Sequence, residues 1–206
     1  GEAAGDPVVL IHGFGGDLNS WMFNQPVLAE THRTIALDLP GHGGSTKEVG
    51  RGSVGSLTGT LCAFLDAQGI ARAHVVGHSL GGAIALDMAL DHAERVATVT
   101  LVAPGGLGPE INMAYIDGFI ATSRAKKLKA VLEMLVADPA LISGDMIEEV
   151  LRYKRLDGVD TALNTIAAAC FEGGRQALQL TDKLPTIRAP LLVIWGKEDR
   201  ILPVAH

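Results

Sequence analysis

Cysteine is scarce in this 206-residue sequence, which holds only Cys62 and Cys170. Two cysteines far apart make neither a disulfide framework nor a zinc site. Both fall inside helical patterns and read as buried thiols of a reducing, cytoplasmic compartment. Basic residues are also in the minority, 17 against 23 acidic ones, for a net charge of −6. That balance leaves no basic footprint for nucleic acid. No apolar run approaches the ~18 residues of a membrane span. No His, Asp and Glu cluster has metal-ligand spacing, so no metal is expected. The opening "GEAAGDP" lacks a basic segment followed by an apolar one, so no signal peptide is expected. Charged residues make up 19% and apolar residues 48%. Such a chain has enough apolar material for one domain built on a buried sheet.

Short β-branched runs alternate with longer helical patterns. "PVVLI" (7–11), "RTIALDL" (33–39), "AHVVG" (73–77), "VATVTLVA" (96–103) and "PLLVIWG" (190–196) read as strands. They are continuous apolar runs, as strands buried on both faces are. Val54, Leu57, Leu61, Phe64 and Leu65 keep helical spacing, as do Ile84, Leu86, Met88 and Leu90. The repetition predicts an α/β domain: a mostly parallel sheet with helices on both faces, binding ligand at the carboxyl ends of its strands. Residues 111–181 break this rhythm with three or four helical patterns and no strand. The whole chain, 1–206, is therefore expected to be one domain with a core of 1–110 and 182–206 and a helical lid of 111–181.

"VVGHSLGGAIAL" (75–86) carries the chemistry. Gly77-His78-Ser79-Leu80-Gly81 fits G-x-S-x-G between a strand and a helix. A turn that tight needs glycine two residues before and after the serine, and it lifts the hydroxyl above the sheet edge at a helix N-terminus. Ser79 is the candidate nucleophile. "VVLIHGFGGD" ends the first strand with His12-Gly13-Phe14-Gly15-Gly16. The N–H groups of Phe14 and Leu80 are candidate oxyanion donors. His12, Gly13 and His78 are placed beside them as candidate substrate contacts. A dinucleotide fingerprint is the competing reading of Gly13-x-Gly15, with Asp38 as the ribose acid. It lacks its third glycine, because position 18 is Leu. Asp199 follows an apolar strand and a Trp195-Gly196 turn, where a carboxylate can orient a histidine.

These motifs together resemble the α/β-hydrolase family: His-Gly-Phe-Gly-Gly, Asp-x-Pro-Gly-His-Gly (38–43), Gly-His-Ser-Leu-Gly-Gly and Trp-Gly-Lys-Glu-Asp, in this order. The resemblance covers nearly the whole chain and implies Ser79 as nucleophile, Phe14 and Leu80 as oxyanion donors and Asp199 as the triad acid. "VVLIHGFGGDLNSW", "TIALDLPGHG", "LGPEINMAYIDGFI" and "YKRLDGVDTALNTIA" are similar to the C-terminal hydrolase-fold domain of bacterial acetoin dehydrogenase E2 components. That similarity implies acyl transfer on a small ester or thioester, with subunits of a 2-oxo-acid-type dehydrogenase complex as partners. A lipoyl group and coenzyme A are implied only in that E2 setting, and no cofactor in this chain.

Two departures from the family pattern stand out. The family opens with an antiparallel hairpin before the strand at residue 8, where this sequence has only "GEAAGD". It also places its catalytic histidine in a Gly-His loop roughly 25 residues beyond the acid, after a further strand and helix. None of the seven histidines present fits that role. His12 and His78 belong to the turns, His42 to a Gly-rich loop, and His32, His74 and His92 to the periphery. His206 follows Asp199 too closely and, on a helix, would point along the surface. The base is expected beyond residue 206, in a Gly-His loop that follows a strand and helix not found in these 206 residues. A non-catalytic hydrolase-fold module for assembly or binding is the alternative function. The basic clusters Lys126-Lys127-Lys129 and Arg152-Lys154-Arg155 then read as a dock for an acidic partner or a CoA phosphate, or as plain solvated helix faces.

Overall fold

The computed structural model describes residues 5–206. The expectations about a leader and an opening hairpin bear largely on residues 1–4, which lie outside the described residues. Four strands come first: β1 (Val8–Ile11), β2 (Thr34–Leu37), β3 (Ala73–His78) and β4 (Val96–Val102). A fifth member, β7 (Leu191–Ile194), joins them in one parallel sheet of order β2-β1-β3-β4-β7. The chain leaves β1 on one side to form β2 and returns on the other to form β3. Their carboxyl ends therefore flank a topological switch point.

One face of the sheet carries the main core. Val9, Ile11, Val75, Val99 and Leu101 point into it and meet α2 (Val54–Ala67) and α3 (Leu80–Asp91). The helices form where the apolar spacing predicts. Ser53 caps α2 by accepting a hydrogen bond from Ser56 N–H, which satisfies a first-turn donor. The other face is thinly covered: Val8 and Leu10 meet Trp21 of a short 3-10 helix and Leu28 of α1 (Gln25–Ala29). This corrects the expectation of strands buried on both faces, which only β1 fulfils throughout. In β3 and β4 buried residues mostly alternate with half-buried ones. In β7 all four residues are exposed, and among the described residues it pairs with β4 alone.

Between β4 and β7 lies the helical segment: α4 (Met113–Ala121), α5 (Ala125–Leu132), α6 (Gly144–Lys154) and α7 (Val159–Cys170). It is not strand-free as expected. Phe171–Glu172 (β5) and Arg175–Gln176 (β6) form a minimal antiparallel pair. This pair brings Gln176 inward, where its amide accepts from Gly106 N–H and donates to the carbonyls of Gly108 and Glu110. The basic clusters on the helices are not one free patch. Lys154 turns inward to donate to the carbonyls of Phe119 and Ile120, and Lys129 pairs with Glu133.

Buried histidines stitch together the loops at the carboxyl edge. Leu39 N–H donates to His12 Nε2 (3.0 Å), so His12 Nδ1 carries the proton and donates to Gly13 O (2.8 Å). In the same manner Gly15 N–H donates to His42 Nε2 (3.1 Å), and His42 Nδ1 donates to Pro40 O (3.1 Å). Both rings are fully buried and 5.0 Å apart. The loop after β1 is thereby tied to the loop after β2 at two points. Asp38 adds one more tie by accepting from Leu18 N–H, and it closes its own loop by accepting from Gly44 N–H.

Accepting an N–H requires each ring to be neutral. Burial lowers the pKa of both, and that of His42 falls to about 3, helped by the neighbouring His12. The unfolded chain binds protons below pH ~6.5 that these folded rings refuse. Stability is therefore complete above that pH and is lost as pH falls towards about 3, at up to about 1.4 kcal/mol per pH unit per ring. The melting temperature should fall by at least about 4 °C between pH 6.5 and 5. His42→Gln should flatten that slope, and a pH-independent melting temperature in the parent chain would refute the assignment.

Candidate active site

β3 ends where Ser79 begins, and α3 starts one residue later. This abrupt turn is a steric consequence of glycine. A Cβ on Gly77 would stand 2.1 Å from Gly81 O, and one on Gly81 would stand 2.3 Å from Ile11 O. Ser79 absorbs the turn with φ 51° and ψ −115°, a conformation that non-glycine residues rarely adopt. Three backbone hydrogen bonds hold it there. Its N–H donates to Val102 O (3.1 Å), and its C=O accepts from Ala83 N–H (3.1 Å) and Gly105 N–H (2.9 Å). A serine at a helix start normally caps the first turn with its hydroxyl. Here Ser79 makes no such cap, so its hydroxyl is left for other partners.

Ser79 stands between two cavities. The larger, about 710 Å3, is floored by Gly13, Phe14, His78 and Asp199 and roofed by lid residues including Leu132, Val150 and Tyr153. The smaller is an apolar recess of about 30 Å3, bordered by Phe14, Leu80, Ala83, Ile116, Cys170 and Leu202. A water needs ~10–15 Å3 on this measure, so the recess admits only two or three heavy atoms. Burial pushes the Cys170 thiol up to about 11, so it is a neutral wall there.

The Phe14 and Leu80 N–H groups have no hydrogen-bond acceptor among the described residues. Leu80 N–H also belongs to the positive end of α3, whose first turn holds no acidic side chain. Phe14 is fixed by the peptide unit that follows it. The carbonyl of that unit accepts from Tyr115 Oη (3.1 Å), and its N–H, that of Gly15, donates to His42 Nε2. Tyr115 is on α4 of the lid and His42 follows β2, so two distant elements pin one peptide at both ends. Gly15 has φ +75°, and a Cβ there would strike the Phe119 ring at 2.6 Å. The lid thus sits directly on this turn. A second lid tyrosine, Tyr153, donates to Gly41 O (2.7 Å) and stacks on His42.

Asp199 lies past β7 at the same sheet edge. Its Oδ1 accepts from Ile201 N–H (2.8 Å) and Leu202 N–H (2.9 Å), which fixes the carboxylate facing the larger cavity. The neighbouring Glu198 is exposed. His78 borders the same cavity. Burial lowers its pKa, and Asp199 partly opposes that shift.

Ser79, Phe14, Gly13, His78 and Asp199 border the larger cavity, and Leu80 borders the smaller recess beside Ser79 and Phe14. His12 borders neither: its ring is fully enclosed and both nitrogens serve the loops, so it is a structural tie and not a substrate contact. No described hydrogen bond joins a histidine ring to Ser79. His74 bonds Thr98 near the start of β3, beside His32, and His92 ends α3. His206 departs from expectation too. It lies in a turn, not on a helix, and its largely buried ring meets Glu110 Oε2 at 2.8 Å. Sequence reasoning missed Tyr115 and Tyr153 altogether. Their partners are 101 and 112 residues away, and no local pattern marks such a contact.

Comparison with known proteins agrees with this architecture. The family model for the alpha/beta hydrolase fold matches residues 6–206. The dihydrolipoyllysine-residue acetyltransferase component of the acetoin cleaving system of Pseudomonas putida is 48% identical over all 206 residues. The chain spans about half the length of such acetoin-cleaving relatives, 55% in this case. A 2-hydroxy-6-oxononadienedioate/2-hydroxy-6-oxononatrienedioate hydrolase of Cupriavidus pinatubonensis is 30% identical, across 98% of this chain and 73% of its own. The solved meta-cleavage product hydrolase CumD of Pseudomonas fluorescens superposes with a TM-score of 0.88 at 25% identity, covering 98% of this chain and 76% of that one. Parallel sheet, glycine-bounded serine turn, helical segment and family match converge, and the chain belongs to the α/β-hydrolase fold family.

Proposed function

We propose that this domain transfers or hydrolyses a small acyl group through a covalent intermediate on Ser79. The observation that carries this reading is the strained Ser79 whose hydroxyl caps nothing and stands between the two cavities. Ser79 Oγ attacks the carbonyl carbon of an ester or thioester, and its proton passes to a histidine. The carbonyl π pair moves onto oxygen, where the N–H groups of Phe14 and Leu80 receive the oxyanion. One such donor lowers the barrier by about 3 kcal/mol. The carbonyl re-forms and the leaving alkoxide or thiolate takes the proton from the histidine. Water, or a second thiol in a transferase, then gives its proton to the histidine and attacks the acyl carbon; the carbonyl re-forms as the bond to Ser79 Oγ breaks, and Oγ takes that proton back. Asp199 orients the histidine and stabilises its charged form.

The scheme places this histidine outside residues 1–206, because no described hydrogen bond joins a histidine ring to Ser79 and the rings of His12, His42, His74 and His206 have other partners. By analogy with the Pseudomonas putida relative, the setting is an acetoin-cleaving complex, with acetyl passing from a dihydrolipoyl thioester to coenzyme A. Of the two basic clusters, Lys154 and Lys129 are already engaged, which leaves Lys126, Lys127, Arg152 and Arg155 exposed for a coenzyme A phosphate. Partners are then the other subunits of that complex. The dienedioate cleavage named for the Cupriavidus pinatubonensis relative is the less favoured chemistry, because acidic side chains border the larger cavity.

Fluorophosphonate labelling of the full chain tests the scheme. One label per chain should map to residue 79 and vanish in Ser79→Ala. Absence of labelling in the parent would instead favour a non-catalytic module for assembly. Tyr115→Phe removes the hydroxyl that holds Phe14 O while keeping the ring. It should lower kcat about tenfold with KM within about twofold, as loss of a donor's alignment does. An equal rise in KM at constant kcat would show that Tyr115 only shapes the cavity.

A further inference from the structure

The charged groups around the larger cavity point to the class of its ligand. Three side chains bordering it carry formal charge at neutral pH: Asp17, Glu149 and Asp199, all acids. Its remaining walls are mainly apolar, with Phe14, Leu132, Met146, Val150 and Ile201 among them. No lysine or arginine is among the residues that border the cavity, and three on the surrounding elements are spent on backbone carbonyls. Lys154 holds Phe119 and Ile120, Arg200 holds Glu133 and Val136, and Lys47 holds His42, Gly43 and Ser45. Turning any of them into the cavity would leave those carbonyls unsatisfied. Asp38 adds a further negative charge behind the floor, committed to Leu18 and Gly44.

We propose that the cavity takes an uncharged, apolar acyl donor and rejects carboxylates. The proposal deepens the reading of Ser79 as the reacting group and rests on it only for the word donor. Desolvating a carboxylate without a cation or a set of donors is costly, and adjacent like charge adds to that cost. Among the described residues, the start of α3 supplies positive potential beside Ser79, where the oxygen that becomes negative during reaction would lie. A resident carboxylate would compete for that place. A neutral ester or thioester carries no charge in the ground state and uses α3 only in the transition state.

Octanamide and octanoate have the same skeleton and differ in charge. Both can be titrated calorimetrically into the Ser79→Ala variant of the full chain at pH 8, so that no turnover intervenes. Octanamide should bind at least about tenfold more tightly than octanoate. The gap should narrow in Glu149→Gln and at high salt. Octanoate binding equally well or better would overturn the proposal, as would failure of octanamide to bind. Absence of fluorophosphonate labelling, with the amide still preferred, would remove the nucleophile and leave the charge preference standing.

Discussion

The site depends on one steric fact: the backbones of β3 and α3 touch. Gly77 lies so close to Gly81 that no Cβ fits between them, so the chain must reverse within a single residue. Ser79 is that residue. Its positive φ costs on the order of 1–3 kcal/mol and persists only because its surroundings over-determine it. Those surroundings are the sheet itself. Val102 at the end of β4 accepts the Ser79 N–H, and Gly105 just beyond β4 donates to its carbonyl. The in-phase pairing of His78 with Val102 sets that register. A slip of one residue along β3 would remove the acceptor and turn the side chains to the opposite face.

The second requirement is that the loop after β1 hold still above the serine. Glycines let that loop approach, but they also make it floppy. His12 and His42 remove the freedom the glycines bring. Each accepts one backbone N–H and donates to one backbone carbonyl, which only a neutral imidazole can do. Burial secures the neutral form, so the apolar environment that raises the value of each hydrogen bond also fixes its direction. Asp38 performs the corresponding task with a carboxylate and accepts two N–H groups.

Elements with a local cause were legible in the sequence. The parallel strands, α2, α3 and the glycine-bounded turn at Ser79 follow from β-branched runs, helical spacing and steric need. Asp199 followed from its place after an apolar strand. His12 was misjudged because a residue at a strand end can face ligand or interior with equal plausibility. What decides it is Leu39, 27 residues later, whose N–H needs an acceptor. β5 and β6 have two residues each, too few for any periodicity. His206 was expected to continue a helix, but the Asp199 carboxylate caps Ile201 and Leu202 into a turn that places His206 against Glu110. Lys154 looked like surface charge, yet its stem reaches inward to two carbonyls over Phe119.

The peptide between Phe14 and Gly15 joins these strands of argument. Its carbonyl belongs to the lid through Tyr115 and its N–H belongs to the sheet edge through His42. Fixing both ends fixes the rotation about Phe14, and with it the aim of the Phe14 N–H. Lid position and donor alignment are then one variable. Withdrawing α4 would free the carbonyl and let the donor turn away. An apolar ligand that touches both Phe14 and the lid residues Leu132 and Val150 favours the seated lid, and so binding and alignment proceed together. A carboxylate ligand gains no such coupling, because it cannot leave water at an acid-bordered mouth without replacing the hydrogen bonds it loses. On this reading the lid contributes to catalysis chiefly by keeping one backbone N–H aimed where the oxyanion forms beside Ser79, and its chemical character selects which ligands hold it closed.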